Sequence, residues 1–397
     1  MLTLLLVGGC SLFPGWNSGK PVNAWVAGEM TNLSDRTAKF DDQSLLDDQR
    51  RVSLFSAANE TVAFQVVVDA GADGLSDVRL AATAMKGPGG KTLPADSVRI
   101  FRMLPVKVTE FPAWYLRLSE TSFDKSQAIT FYDALTPINS SKAGQPFAAP
   151  ANGRMAFWVD IVVPRTAQAG NYSGSLTISA DSLSPRTFAL NLQVYGFVLP
   201  DARPIASVGG FDHRTLFRTF IRQDGKPYEP PRLDRTNPLV RQGMGIMRQM
   251  MVLSHEHRLD LFETALHPDI RINAAGGPQV NWEDYDNIVT PYLTGSAFDD
   301  RVGCPAWPTP FSDSWPEVVG TEQLKNEDYL TTVHQLLEQS AEHFRELDVA
   351  DQIFAWPYRG PVAAAAFARQ FALAKLVRGA DAATPILSQL PPVPPPL

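Results

Sequence analysis

From residue 22 to about residue 200 the chain alternates apolar and polar positions with a period of two. In "TVAFQVVVDA" Val62, Phe64, Val66 and Val68 share one face, and in "MAFWVDIVVP" Met155, Phe157, Val159, Ile161 and Val163 do. "NYSGSLTISA" aligns Tyr172, Gly174, Leu176 and Ile178, and "TFALNLQVYGF" aligns Phe188, Leu190, Leu192 and Val194. Such alternation predicts strands with one buried face. The last two runs flank the turn-rich "DSLSPR", which predicts a hairpin. Several short strands separated by turn clusters predict an antiparallel β-sandwich over residues 22–200.

After residue 200 the texture changes. A short apolar run ends in Gly209-Gly210-Phe211-Asp212-His213. Leu239, Val240, Met244, Met247, Met250 and Met251 then recur at spacings of three and four, the period of a helix. The methionines suit a core, since Met fills irregular gaps. "RLDLFETALHP" reads as a second strand, and "NWEDYDNIVTPYL" as a helix capped by Asn281 with acids in its first turn. The strongest helix runs from Gln323 to Glu346, with Leu330, Val333, Leu337, Ala341 and Phe344 as its apolar stripe. The strand "QIFAW", a helix with Phe367, Phe371, Ala374 and Val377, and the strand "TPILSQL" follow, before the terminal "PPVPPPL". Strands alternating with helices predict a parallel sheet. Residues 201–397 fall short of the roughly 250 residues of a full barrel, so an incomplete (β/α)8, TIM-like barrel is expected there. The fold class is therefore multidomain, β plus α/β.

A length of 397 residues suits two domains. The formal charge of −7 with no basic stripe argues against a nucleic-acid partner. Two cysteines, Cys10 and Cys304, exclude a disulfide scaffold. Cys10 closes "MLTLLLVGGC", whose small residues match those before the lipidated cysteine of a bacterial lipoprotein. Residues 1–21 are thus expected to be a signal and tether of an exported protein of the bacterial cell envelope, touching the membrane only through a lipid. Cys304 is expected to be a small buried hydrophobe. No Gly-rich phosphate loop, Ser-His-Asp order or Cys-His signature calls for a cofactor. His255 and His257 stand two apart, so they do not share a helix face, and no metal is expected. Oligomeric state has no signature in the sequence.

Parallel strands gather their carboxyl ends on one side, where α/β folds place their chemistry. Asp212 and His213 end the first such strand, as a sugar-binding or proton-moving pair or as a helix cap. Glu263 and His267 flank the second strand similarly. Trp307, Trp315, Trp356 and Tyr358 lie after strands, as sugar-stacking faces or as loop packing, and Arg359 can hydrogen-bond a hydroxyl or an anion. Trp114, Tyr115 and Tyr132 in the first domain suit ordinary packing better than a sugar platform.

Between about Val22 and Gln389 the chain resembles glycoside hydrolase family 123. The likeness is carried by "NETVAFQVVV" (Asn59–Val68), "AGNYSGSLTISA" (Ala169–Ala180) and "LQVYGFVLPDARPIASVGGFD" (Leu192–Asp212), with "WEDYDNIVTPYLTGSAF" (Trp282–Phe298) and "HFRELDVADQIFAW" (His343–Trp356). The resemblance implies a β-sandwich followed by a (β/α)8 barrel. It also implies action on N-acetylgalactosamine glycosides, in which the sugar's own acetamido oxygen attacks the anomeric carbon. One carboxylate orients that group and an adjacent carboxylic acid protonates the leaving oxygen. The family keeps these as an Asp-Glu pair followed by Pro. The matching positions before Pro361 hold Arg359 and Gly360. Arginine stays protonated and glycine has no side chain, so neither replaces an acid. The expectation is a hydrolase-like protein acting on or binding N-acetylhexosamine glycans, with unassigned catalytic residues. The alternative is a non-catalytic carbohydrate-binding or structural surface protein.

Overall fold

The computed structural model describes residues 20–390, apart from residues 22, 40, 41, 43, 48–50, 110–127, 182, 275, 321 and 363. Cys10, Trp114, Tyr115 and the terminal proline run lie outside the described residues. The chain divides into two compact units, Met1–Pro200 and Asp201–Leu397.

The first unit is two stacked sheets. One orders its strands Ala24–Gly28, Glu60–Asp69, Arg154–Val163, Val98–Val108 and Ile129–Pro137, each antiparallel to its neighbour. The other is built around Leu183–Val198, paired antiparallel with Gly170–Ala180. That sheet is mixed rather than antiparallel throughout, because Val52–Ala58 and Lys20–Pro21 both pair with Leu183–Val198 in parallel. The hairpin is longer than its composition suggests. "DSLSPR" is turn-rich, yet pairing continues to Ala180↔Leu183 through a bulge, so the strand absorbs most of the predicted link.

Phe64, Val66, Val68, Phe157, Val159 and Ile161 from the first sheet meet Leu176, Ile178, Leu190 and Leu192 from the second in one core. The two-residue period holds on this face. On the outer face it fails where a loop covers the sheet. Val67 packs with Trp25, Leu33 and Met103, and the buried Gln65 amide donates to the carbonyls of Gly28 (2.9 Å) and Thr31 (2.8 Å). Tyr132 packs against this second cluster, its hydroxyl donating to the Arg154 carbonyl at 3.4 Å.

The second unit holds five helices, α1 (His213–Phe220), α2 (Pro238–Glu256), α3 (Glu283–Leu293), α4 (Glu327–Glu346) and α5 (Ala364–Ala380), among the described residues. Parallel pairing joins Val208–Phe211 to Asp260–Glu263 and Trp307–Pro308 to Ile353–Phe354. One parallel bridge links Ala355 to Ile386. These are separate short pairs, and no closed barrel is present among the described residues. Pro305, Pro308 and Pro310 explain part of this, since proline cannot donate to a ladder. "TPILSQL" accordingly contributes a bridge, not a strand.

Helix ends follow local chemistry. Asn326 caps α4 by accepting from the amides of Asp328 (3.0 Å) and Tyr329 (3.1 Å), and a separate 3₁₀ turn, Gln323–Lys325, precedes it. α3 is capped by Trp282 in helical geometry, while Asn281 accepts only from the Glu283 amide at 3.1 Å. α2 buries Met247 and Met251 as core filler. At Gly243 a Cβ would lie 2.3 Å from the Phe217 ring, so this glycine lets α1 and α2 touch. Burial pushes the Cys304 thiol up to about 12, in keeping with a small hydrophobe. No described helix is long and apolar enough to cross a membrane.

Phe157 is fully buried and meets Phe147 edge-on at 5.5 Å, whereas Phe55 is 67% exposed. Phe157→Ala is expected to cost about 3–5 kcal/mol in urea unfolding, while Phe55→Ala stays within about 0.5 kcal/mol. Equal costs would contradict a core shared by the two sheets.

Candidate functional site

Three chain segments of the second unit end together, the first two as a parallel pair. The strand Val208–Phe211 passes into Asp212, the N-cap of α1. The strand Asp260–Glu263 passes into Thr264, whose amide donates to the Phe211 carbonyl at 2.9 Å. Ile353–Phe354 runs on through Ala355 to Trp356 and Arg359. Arg359 Nη1 donates to the Thr264 carbonyl, which ties the third ending to the second.

Glu263 is buried beneath this surface. Its Oε1 accepts from the His213 amide (2.8 Å) and from His213 Nδ1 (2.9 Å), and its Oε2 accepts from the amides of Ala265 (2.7 Å) and Leu266. Nδ1 therefore carries the proton of His213. Asp212 accepts from the Arg214 amide at 2.8 Å and pairs with the Arg214 guanidinium at 2.8 Å. Burial works against its charge, but the Arg214 hydrogen bonds prevail and hold the carboxyl below the usual range. Asp212, His213 and Glu263 offer atoms within 4.8 Å of one another, the spacing of a metal cradle. The lone pairs of both carboxylates are taken by these donors, so a cation held by them would have to displace an arginine and four backbone amides.

His267 stacks on Trp315 at 4.4 Å between centroids. Burial, then the cations Arg359 and Arg214, lower its pKa to about 3, so the ring is neutral at pH 7. Its Nδ1 is buried without a hydrogen-bond partner.

Arg359 occupies the centre. Nε donates to the Trp356 carbonyl at 3.2 Å, and the guanidinium lies 5.2 Å from the Trp356 ring centroid. The Arg359 amide donates to Asp313 Oδ1 at 3.3 Å. Burial depresses the guanidinium's pKa, opposed at longer range by Glu263 and Asp313. Among the described residues no carboxylate lies within ion-pair distance of it. Beside it opens a cavity of about 760 Å³. Val208, Phe211, Phe262, Phe354, Trp356 and Leu387 wall it, and Asp212, Thr264 and Arg359 are its polar lining.

The candidate residues thus separate. Asp212, Trp356 and Arg359 line the cavity, and His213 lies buried behind it on Glu263. Trp315 faces His267. Trp307 is buried in the core, stacked on Tyr292 at 6.3 Å with its indole N–H donating to the Tyr285 hydroxyl at 3.1 Å. A ring so enclosed has no face for a sugar, and loop packing is its role. Tyr358 is also buried, its hydroxyl donating to the Pro361 carbonyl at 2.8 Å. Thr264 and Asp313 were not singled out from sequence, because only the meeting of strand ends brings them to Arg359. His255 stands elsewhere, with Nδ1 2.6 Å from Asp260 and Nε2 3.0 Å from Asp300.

Two findings relate this chain to glycoside hydrolase family 123. Residues 36–180 match the family model of the glycoside hydrolase 123 N-terminal domain. The fold is similar to that of a family 123 glycoside hydrolase from Clostridium perfringens studied for glycolipid glycan hydrolysis, at a TM-score of 0.59 and 11% identity. That match covers 90% of this chain and 62% of the enzyme, so the chain spans about three fifths of the enzyme's length. A family 5 xyloglucanase from Bacteroides ovatus aligns over 87% of this chain and 62% of its own at 9% identity, but its TM-score of 0.18 carries no weight. No curated protein matches the sequence.

The depressed pKa of His267 has a consequence for pH. The ordinary imidazole value is 6.5 and the folded value about 3, so on acidification the unfolded chain takes up this proton first. The stability from the neutral ring is complete above about pH 6.5 and is lost as pH falls towards 3. The His267 ring resonances should stay unshifted between pH 8 and 5 in a proton NMR titration. A midpoint near the ordinary 6.5 would contradict the buried, cation-flanked geometry.

Proposed function

We propose that this family 123-related chain binds N-acetylhexosamine-containing glycans at the strand ends of its second unit without hydrolysing them. The observation that carries this reading is Arg359-Gly360 before Pro361, where the resemblance expects Asp-Glu. The replacement is built into the packing. A Cβ on Gly360 would lie 2.7 Å from the Tyr358 hydroxyl and 2.8 Å from its ring, and Tyr358 is itself buried. Arg359 is held by two carbonyls and a ring face.

Nearby groups do not supply the missing acid. A general acid must hold its proton near neutral pH. Asp212 is pulled the other way by Arg214. Glu263 is enclosed by four donors, with no lone pair aimed at a substrate. His267 is neutral and a weak base. What remains suits binding, with the Trp356 face for a pyranose ring and Arg359 and Thr264 for its hydroxyls. The reading extends to location, with Cys10 as the lipid attachment point of an exported envelope protein. Loss of labelled-palmitate incorporation in Cys10→Ser is the expected check.

Purified protein is expected to release no nitrophenol from 4-nitrophenyl N-acetyl-β-galactosaminide above the buffer rate, yet to bind N-acetylgalactosamine oligosaccharides by calorimetry. Trp356→Ala should weaken that binding about tenfold, the worth of one stacked ring. The double variant Arg359→Asp, Gly360→Glu should not gain turnover, and should lose stability because its new side chain meets Tyr358. Turnover by the native protein that Asp212→Asn abolishes would overturn the reading.

A further inference from the structure

The cavity has an apolar stretch that the hydroxyl contacts proposed above do not use. Its polar lining, Asp212, Thr264 and Arg359, sits at one end, where the parallel segments finish. Val208 lies four residues before Asp212 along its strand, about 13 Å away at the usual rise per residue. Between these ends the walls are side chains of Phe211, Phe262, Phe354 and Leu387. A cavity of about 760 Å³ lined this way is poorly matched to a free sugar, whose hydroxyls would find few partners along the walls.

The guanidinium at the polar end has no direct ion-pair partner. Asp212 is already neutralised by Arg214, at 2.8 Å. Arg359 faces the cavity with Nε and Nη1 on carbonyls and no carboxylate in ion-pair range among the described residues. Its cation is largely removed from water, and buried charges are ordinarily paired. The Trp356 indole N–H beside it is also buried without an acceptor. A cation without a direct ion-pair partner at the end of an apolar cavity defines a ligand by complementarity.

We propose that this cavity holds a small amphipathic anion, an apolar body with one oxyanion head, whose head meets the free guanidinium edge of Arg359. A carboxylate and a sulfate or sulfonate share that chemistry. The proposal shares Arg359 with the glycan reading but adds the apolar length of the cavity, and the two fail separately, since a preference for decanoate over decanol is expected of an anion site and not of a hydroxyl site.

Dye binding to the full chain tests it. The anionic probe 1-anilinonaphthalene-8-sulfonate should bind with blue-shifted emission, and decanoate should displace it while decanol does not. Arg359→Gln should weaken the anionic dye about tenfold, the size of one charge-assisted hydrogen bond. The same variant should leave the neutral dye N-phenyl-1-naphthylamine unaffected, which also reports that the cavity is intact. Decanoate against decyl sulfate identifies the preferred head. Equal displacement by decanoate and decanol from the native protein would overturn the proposal, even if Arg359→Gln fails to fold. So would an Arg359→Gln variant that keeps full affinity for the anionic dye, or a native protein that binds neither dye.

Discussion

The site depends on one buried carboxylate. Glu263 accepts four N–H donors, two from His213 and one each from Ala265 and Leu266. A buried carboxylate is tolerated only when its lone pairs are used, and here all its bonds run to residues at the ends of two parallel strands. It joins the Asp212–His213 ending to its own. The third ending is joined through Arg359 to Thr264. Short strands of four and two residues would otherwise hold such a convergence weakly.

That arrangement sets the electrostatics. Two arginines stand over the buried Glu263, and one of them, Arg214, is spent on Asp212. His267 responds by staying neutral. The site is consequently short of proton donors, and among the described residues no carboxylate lies within ion-pair distance of its Arg359 guanidinium. This is the reverse of what glycoside cleavage with substrate assistance requires, where a protonated carboxyl must face the leaving oxygen. The relation to family 123 lies in the sandwich and in the fold. The chemistry at the strand ends has its own logic, and fold alone does not settle activity.

Tyr358 shows how closely the packing fits this turn. Its ring fills the space a side chain at residue 360 would need, and its hydroxyl is satisfied by the Pro361 carbonyl. Trp356 and Phe262 meet edge-on at 6.4 Å below it, so the aromatic layer continues from the core to the cavity wall. Cavity wall and hydrophobic core are here the same residues seen from two sides.

By itself the sequence determined the elements whose signal is local. Period-two alternation specified the sandwich strands, because one face of each is desolvated wherever the strand sits. Three-four spacing specified α2 and α4, and the order Arg359-Gly360-Pro361 after the strand is plain in the chain. Tertiary structure decided what depends on non-local contact. It made Val52–Ala58 a parallel neighbour of Leu183–Val198, and kept the parallel strands of the second unit in separate short pairs. It also sorted aromatic residues that composition cannot distinguish. Trp307 and Trp356 occupy similar proline-flanked stretches, yet one closes the core and the other faces a cavity. Burial is a property of what packs on a residue from elsewhere in the chain. For the same reason, that no carboxylate among the described residues comes within ion-pair distance of Arg359 appeared only once its neighbours in space were known.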